Sequence, residues 1–287
     1  MTSPDPFLIR AHVPQFEAIV ADYGKASATT KAAFPDRRTV AYGAGRDEVL
    51  DLYLPTAEEP GQGLRPVHLF VHGGYWRANT KNDCAFVADA ITAAGAIAAI
   101  MDYSLMPAAR LAVLVGQVRR AAAWLAAEAE SFGGDAQALS ASGHSAGGHL
   151  ASYLACRGPH ESESVVSPIR SVLLVSGLYD LGPITRSFLQ PELQLTDEEV
   201  ALWSPVNAVP SPGASISLLV GDRETAPFHE QAAAFLEHLD QAGTPGRLAT
   251  VEGEDHMTIV RELGRPGTPC AGFLANTIRS SRAEPDA

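Results

Sequence analysis

No stretch of this 287-residue chain approaches the roughly 20 uninterrupted apolar residues of a membrane-spanning helix, so no helical membrane anchor is expected. Basic charge is also scarce. Against 33 Asp and Glu stand 21 Lys and Arg, a formal net charge of −12. Nucleic acid needs a basic face and is therefore not an expected partner; the acidity reads as solubility. Cysteine is sparse too. Cys84, Cys156 and Cys270 are odd in number, scattered and without metal-ligand spacing, so they read as reduced thiols of a cytoplasmic protein. No metal and no cofactor are expected, and no cysteine lies in a turn motif beside a base. Cys156 is expected to pack on a helix face. The opening Met1-Thr2-Ser3-Pro4-Asp5-Pro6 lacks the basic-then-apolar layout of a secretory leader. Repeats, linkers and low-complexity tracts are absent as well. Residues 1–287 therefore read as one domain, with a flexible tail at 280–287.

What is present is an alternation of strand and helix patterns. Residues 1–35 form an amphipathic segment in which Phe16, Ile19, Val20 and Tyr23 share one helical face, either packed structurally or walling a pocket. Two short runs, 39–42 and 49–54, read as a partly exposed antiparallel hairpin. Near-continuous apolar runs at 67–71 and 96–101 predict central strands covered on both faces. Further strands are predicted at 138–142, 172–175, 216–220 and 248–251. Helical patterns occupy 82–94, 112–127, 146–156, 228–239 and 273–278. Such alternation predicts an α/β fold, a mostly parallel eight-stranded sheet with helices on both faces. The proline-rich interval 179–212 breaks the rhythm and reads as a small lid-like insertion.

The chemistry centres on Gly143-His144-Ser145-Ala146-Gly147. This is a G-x-S-x-G pattern, in which a sharp strand-to-helix turn exposes a nucleophilic serine. A chain with 25 glycines can produce that pattern by chance, so the other parts of an acyl-transfer site must accompany it. Serine needs a base held by a third group. His256 follows the last strand, at the sheet end where open α/β folds place their sites. His149, one helical turn after Ser145, falls beneath the elbow and reads as structural. For the acid, Asp222 directly follows the run 216–220 and gives the chain order Ser145, Asp222, His256, that of α/β-hydrolases. Asp180 is its rival, and a helix N-cap is the alternative role for Asp222. Upstream, His72-Gly73-Gly74-Tyr75-Trp76 follows a strand and reads as an oxyanion loop. Its donors would be the N–H groups of Gly74 and Tyr75, joined by that of Ala146.

With these motifs the chain resembles the α/β-hydrolase superfamily and, within it, the serine-dependent kynurenine formamidases (arylformamidases). Asp102-Tyr103-Ser104-Leu105, Ser176-Gly177-Leu178-Tyr179-Asp180-Leu181 and Ser204-Pro205 extend the likeness over nearly the whole chain. The resemblance implies hydrolysis of an aryl formamide, N-formyl-kynurenine giving kynurenine and formate, with a carboxylesterase for small acyl esters as the alternative. It departs at Arg77, where the formamidases often carry Gln. Tyr75 and Trp76 are the expected substrate-binding side chains, and Arg77 either meets a substrate carboxylate or is a solvated charge. The expected partner is a small-molecule substrate, with a homodimer left open.

Overall fold

The computed structural model describes residues 4–55, 63–244 and 246–282. Eight strands build the central sheet: β1 (Arg38–Ala41), β2 (Val49–Tyr53), β3 (Arg65–Val71), β4 (Ile97–Met101), β5 (Gly134–His144), β6 (Ser171–Val175), β7 (Ser215–Gly221) and β8 (Arg247–Val251). Their spatial order is β1-β2-β4-β3-β5-β6-β7-β8. β1 pairs antiparallel with β2, and β2 with β4. All later pairings are parallel. The predicted α/β architecture is thus the observed one.

The alternation of side chains along each strand divides the interior into two layers. Along β3, Val67, Leu69 and Val71 enter one cluster with α3 (Leu111–Glu128), α4 (Ala146–Ser152) and α5 (Ala226–Gln241). Phe70 enters the opposite cluster with α2 (Val87–Ala93), α6 (Thr258–Leu263) and α7 (Pro269–Ser281). Helices on both faces explain why the central strands carry no polar alternation.

The predicted hairpin forms, but its exposure is confined to β1. Leu50, Asp51, Leu52 and Tyr53 are all buried, because β2 is an interior strand whose Asp51 carboxylate lies 3.3 Å from the Lys81 ammonium. α4 is shorter than its pattern implied. Cys156 lies not on a helix face but on a two-residue strand paired with Val209–Pro210, and it is buried there. The interval 179–212 folds into short turns and helices. One of them, Asp197–Trp203, starts with a capping box in which Thr196 and Glu199 satisfy each other's amides. At the carboxyl end α7 runs through Ser281, so 280–281 of the expected tail are helical, and 283–287 lie outside the described residues. None of the described helices is long and apolar enough to cross a membrane.

Candidate active site

β5 delivers the chain to the elbow, and α4 leaves it one residue later. Ser145, between them, holds φ 56° and ψ −120°, a strained conformation for a residue with a side chain. The approach of neighbouring backbone explains the flanking glycines. A Cβ on Gly143 would fall 2.1 Å from the Gly147 carbonyl oxygen, and one on Gly147 would fall 2.1 Å from that of Val71. The elbow closes only without those atoms.

Beyond β8 the loop carries His256 over the elbow, where its Nε2 lies 3.0 Å from the Ser145 hydroxyl oxygen. The other ring nitrogen, Nδ1, donates to a carboxylate at 2.7 Å, and that carboxylate belongs to Glu224, not to Asp222. The expectation for the acid is therefore corrected. Asp222 is exposed, and its Oδ1 accepts the Gly253 N–H at 2.7 Å, bracing the loop that leads to His256. It is no N-cap either, since that position before α5 belongs to Thr225. The rival Asp180 accepts from the Gly182 amide and takes no part. The physical reason is the turn that follows β7. The Glu224 N–H returns to the Gly221 carbonyl, which sends Asp222 and Arg223 outward and swings Glu224 back under the imidazole. The Glu224 side chain is fully buried. The Phe228 ring lies 4.3 Å from that of His256, centroid to centroid, and shields the pair from water.

Two buried histidines frame the site as neutral rings. His144 donates from Nε2 to the His256 carbonyl at 2.8 Å, and burial holds its pKa well below the usual imidazole range. His149 lies beneath the elbow, as its spacing implied, accepting from the Trp76 indole N–H at 3.1 Å and donating to the Trp203 carbonyl. Burial lowers its pKa to about 4. Trp76 is accordingly not a substrate contact. It is completely buried, turned away from the site, and fastens the oxyanion loop to α4. Its burial follows from a run of positive φ values (116° at Gly74, 50° at Tyr75 and 57° at Trp76), which curls the loop so that Tyr75 faces the site and Trp76 the core. The backbone amides of Gly74 and Tyr75 have no acceptor among the described residues, and that of Ala146 opens α4, where an N–H has no intrahelical partner.

Ser145, His256, His144 and the Gly73–Tyr75 loop form the floor of a cavity of about 480 Å³. Its walls include Ile9, Phe16, Tyr23, Tyr75, Phe188 and Met257. The amino-terminal segment is thus a pocket wall, the second of its two readings. It is tied at both ends of the site. The Tyr75 hydroxyl donates to the Phe7 carbonyl at 2.6 Å, and the Tyr23 hydroxyl donates to the carbonyl of Met257, the residue after His256. Asp5 joins it to the inserted interval by accepting the Phe188 N–H at 2.7 Å. Arg77 lines the cavity and pairs at 2.5 Å with Glu192, whose side chain is half exposed, so its charge is held in a solvent-facing ion pair. Cys84, also on the wall, is a buried thiol whose pKa burial pushes up to about 12. Among the described residues no cluster of three or more His, Cys, Asp or Glu could hold a metal ion.

Sequence reasoning missed Glu224. Its signal was its place in Gly221-Asp222-Arg223-Glu224, where a tight turn makes the last residue, not the first, face the histidine.

Comparison with known proteins finds hydrolases. The kynurenine formamidase of Danio rerio is 30% identical over 262 residues, covering 89% of this chain and 84% of the relative. Esterase LipC of Mycobacterium tuberculosis is 25% identical over 312 residues, covering 99% and 74%. Among solved structures, a chain described as a thioesterase from Silicibacter sp. TM1040 superposes with a TM-score of 0.81 at 24% identity, over 97% of this chain and 99% of that one. The BD-FAE family model matches residues 50–239. With two thirds of its length inside that match and a formamidase relative spanning most of the remainder, the chain belongs to the BD-FAE family of α/β-hydrolases.

Proposed function

We propose that this hydrolase uses Ser145 as nucleophile to cleave an aryl formamide, with N-formyl-kynurenine giving kynurenine and formate. The observation that carries the reading is the unbroken hydrogen-bond chain from Glu224 through His256 to Ser145 on the floor of an aromatic-walled cavity. His256 takes the Ser145 proton as the hydroxyl oxygen attacks the formyl carbon, and Glu224 holds the ring with Nδ1 protonated and stabilises the imidazolium. The N–H groups of Gly74, Tyr75 and Ala146 receive the developing oxyanion; one such donor is typically worth about 10²–10³ in kcat. His256 then gives its proton to the aniline nitrogen as the C–N bond breaks. Water, deprotonated by the same imidazole, cleaves the formyl ester and releases formate.

Phe16, Tyr23 and Phe188 suit the ring of an arylamine leaving group. The 30% identity to fish proteins named kynurenine formamidase supports the same choice. The second reading, a carboxylesterase for small acyl esters, uses the same residues and is favoured by the likeness to LipC. Measuring kcat/KM for N-formyl-kynurenine and p-nitrophenyl acetate separates the two. The formamide is expected to be preferred, and a flat or reversed preference overturns that choice of substrate. Substantial turnover by Ser145→Ala would overturn the serine mechanism itself.

A further inference from the structure

Ser176 is the first residue after β6 and lies on the far side of Glu224 from His256. It is 2% exposed and holds φ 50°, a region that residues with a Cβ seldom occupy. Its N–H donates to the Leu219 carbonyl at 2.7 Å, which a glycine would do equally well. What serine adds is the hydroxyl. It donates to Glu224 Oε1 at 2.5 Å, and the Gly221 N–H reaches the same oxygen at 2.8 Å. Glu224 Oε2 is thereby left for His256.

We infer that Ser176 is a positioning residue: its hydroxyl, with the Gly221 amide, clamps one oxygen of Glu224 so that the other meets the His256 ring. The inference rests on the serine-hydrolase reading above. A glutamate carboxylate turns about a broad, roughly two-fold terminal torsion. Buried, it also loses the water that would satisfy its lone pairs, and donors must replace that water. The clamp does both jobs, fixing the torsion and supplying two of three hydrogen bonds, of the strong kind that an ionised acceptor makes. The strained backbone at Ser176 brings the hydroxyl to this point, since the residue closes β6 beside the end of β7, from which the acid turn departs.

Two substitutions separate the hydroxyl from the backbone. Ser176→Gly removes the hydroxyl and relieves the positive φ, whereas Ser176→Ala removes the hydroxyl and keeps the strain. Both are expected to lower kcat about 10- to 100-fold, the range for a lost hydrogen bond to a charged group. KM should stay within about two-fold, and labelling of Ser145 by a fluorophosphonate should slow by the same factor as kcat. Tm should fall in Ser176→Ala and hold or rise in Ser176→Gly, so that activity does not follow stability. In a Glu224→Gln background either substitution should cost nothing further, because the clamp acts only through that carboxylate. Wild-type kcat in Ser176→Gly, or losses that multiply in the double variant, would overturn the inference. The Ser145→Ala assay tests the underlying reading separately: an inert Ser145→Ala beside a fully active Ser176→Gly defeats the clamp alone.

Discussion

The elbow at 143–147 and the acid turn at 221–224 both end parallel strands, and together they carry Ser145 and the Glu224 carboxylate that His256 links. They differ in how the functional side chain is specified. At the elbow the backbone dictates residue type, since any Cβ on Gly143 or Gly147 would strike a carbonyl 2.1 Å away. At the acid turn Gly221 is held in the same way, since a Cβ there would fall 2.2 Å from the Glu254 carbonyl oxygen, but at 222–224 function depends on which side chain reaches inward. Asp222 and Arg223 point to solvent, whereas Glu224, only one and two residues further on, is buried against His256. Steric specification is local and leaves a motif; specification by reach is tertiary and leaves none.

That contrast can be broken most severely at the elbow. Gly147→Ala drives a methyl into the Val71 carbonyl, and a loss of at least about 3 kcal/mol is expected, on the scale of overpacking and strained-backbone changes. Denaturant unfolding of the purified variant, or its failure to accumulate in soluble form, checks this. The acid turn should respond in activity and not in stability. Glu224→Gln is expected to lower kcat about 10³- to 10⁴-fold, as for the acid of other triads, while Asp222→Asn stays within a few-fold. An equal loss in both would restore Asp222 as a participant.

Lowered pH sharpens the comparison from the elbow side, where His68, His72 and His149 are buried with pKa values depressed by burial to about 3, 4 and 4. His68 lies between the hydroxyls of Ser140 and Ser142 on β5, and His149 sits under the elbow. Unfolded, these rings protonate near 6.5; folded, they stay neutral down to about 4. Between those values the unfolded state binds more protons, so stability is complete above pH 6.5 and falls as pH drops toward 4. The slope is about 1.4 kcal/mol per pH unit for each ring. A Tm that is flat from pH 7 to pH 5 would contradict this. A more modest loss than at the elbow is expected from Trp76→Phe. It deprives His149 Nδ1 of its donor, for about 1–3 kcal/mol of stability, yet KM should barely change because the indole does not line the cavity. A large rise in KM would return Trp76 to the substrate.

Much of this was legible in the chain. Near-continuous apolar runs marked the central strands at 67–71 and 96–101, which are covered on both faces, alternation marked the hairpin at 39–42 and 49–54, and Ser145 and His256 were marked by a steric motif and by chain order. Asp222 was misread because the turn from Gly221 to Glu224 sends it outward, and Trp76 because of its loop's backbone. Neighbours in sequence face opposite ways when a loop curls through successive positive φ values, and nothing in Tyr75-Trp76 announces which ring turns inward. The clamp on Glu224 was invisible because Ser176 lies 48 residues from it.

The walls of the cavity have a consequence for how such an enzyme changes substrate. Ile9, Phe16 and Tyr23 precede residue 50, where the family match begins, while the elbow, the loop at 73–76 and Glu224 lie within it. Part of the cavity wall is therefore written outside the stretch that carries Ser145 and Glu224, and it is stitched to the rest of the site by the hydroxyls of Tyr75 and Tyr23. Exchanging the first 35 residues between relatives would change the Ile9, Phe16 and Tyr23 side of the cavity and leave Ser145, His256 and Glu224 in place, a modular route by which one scaffold could be fitted to different ligands.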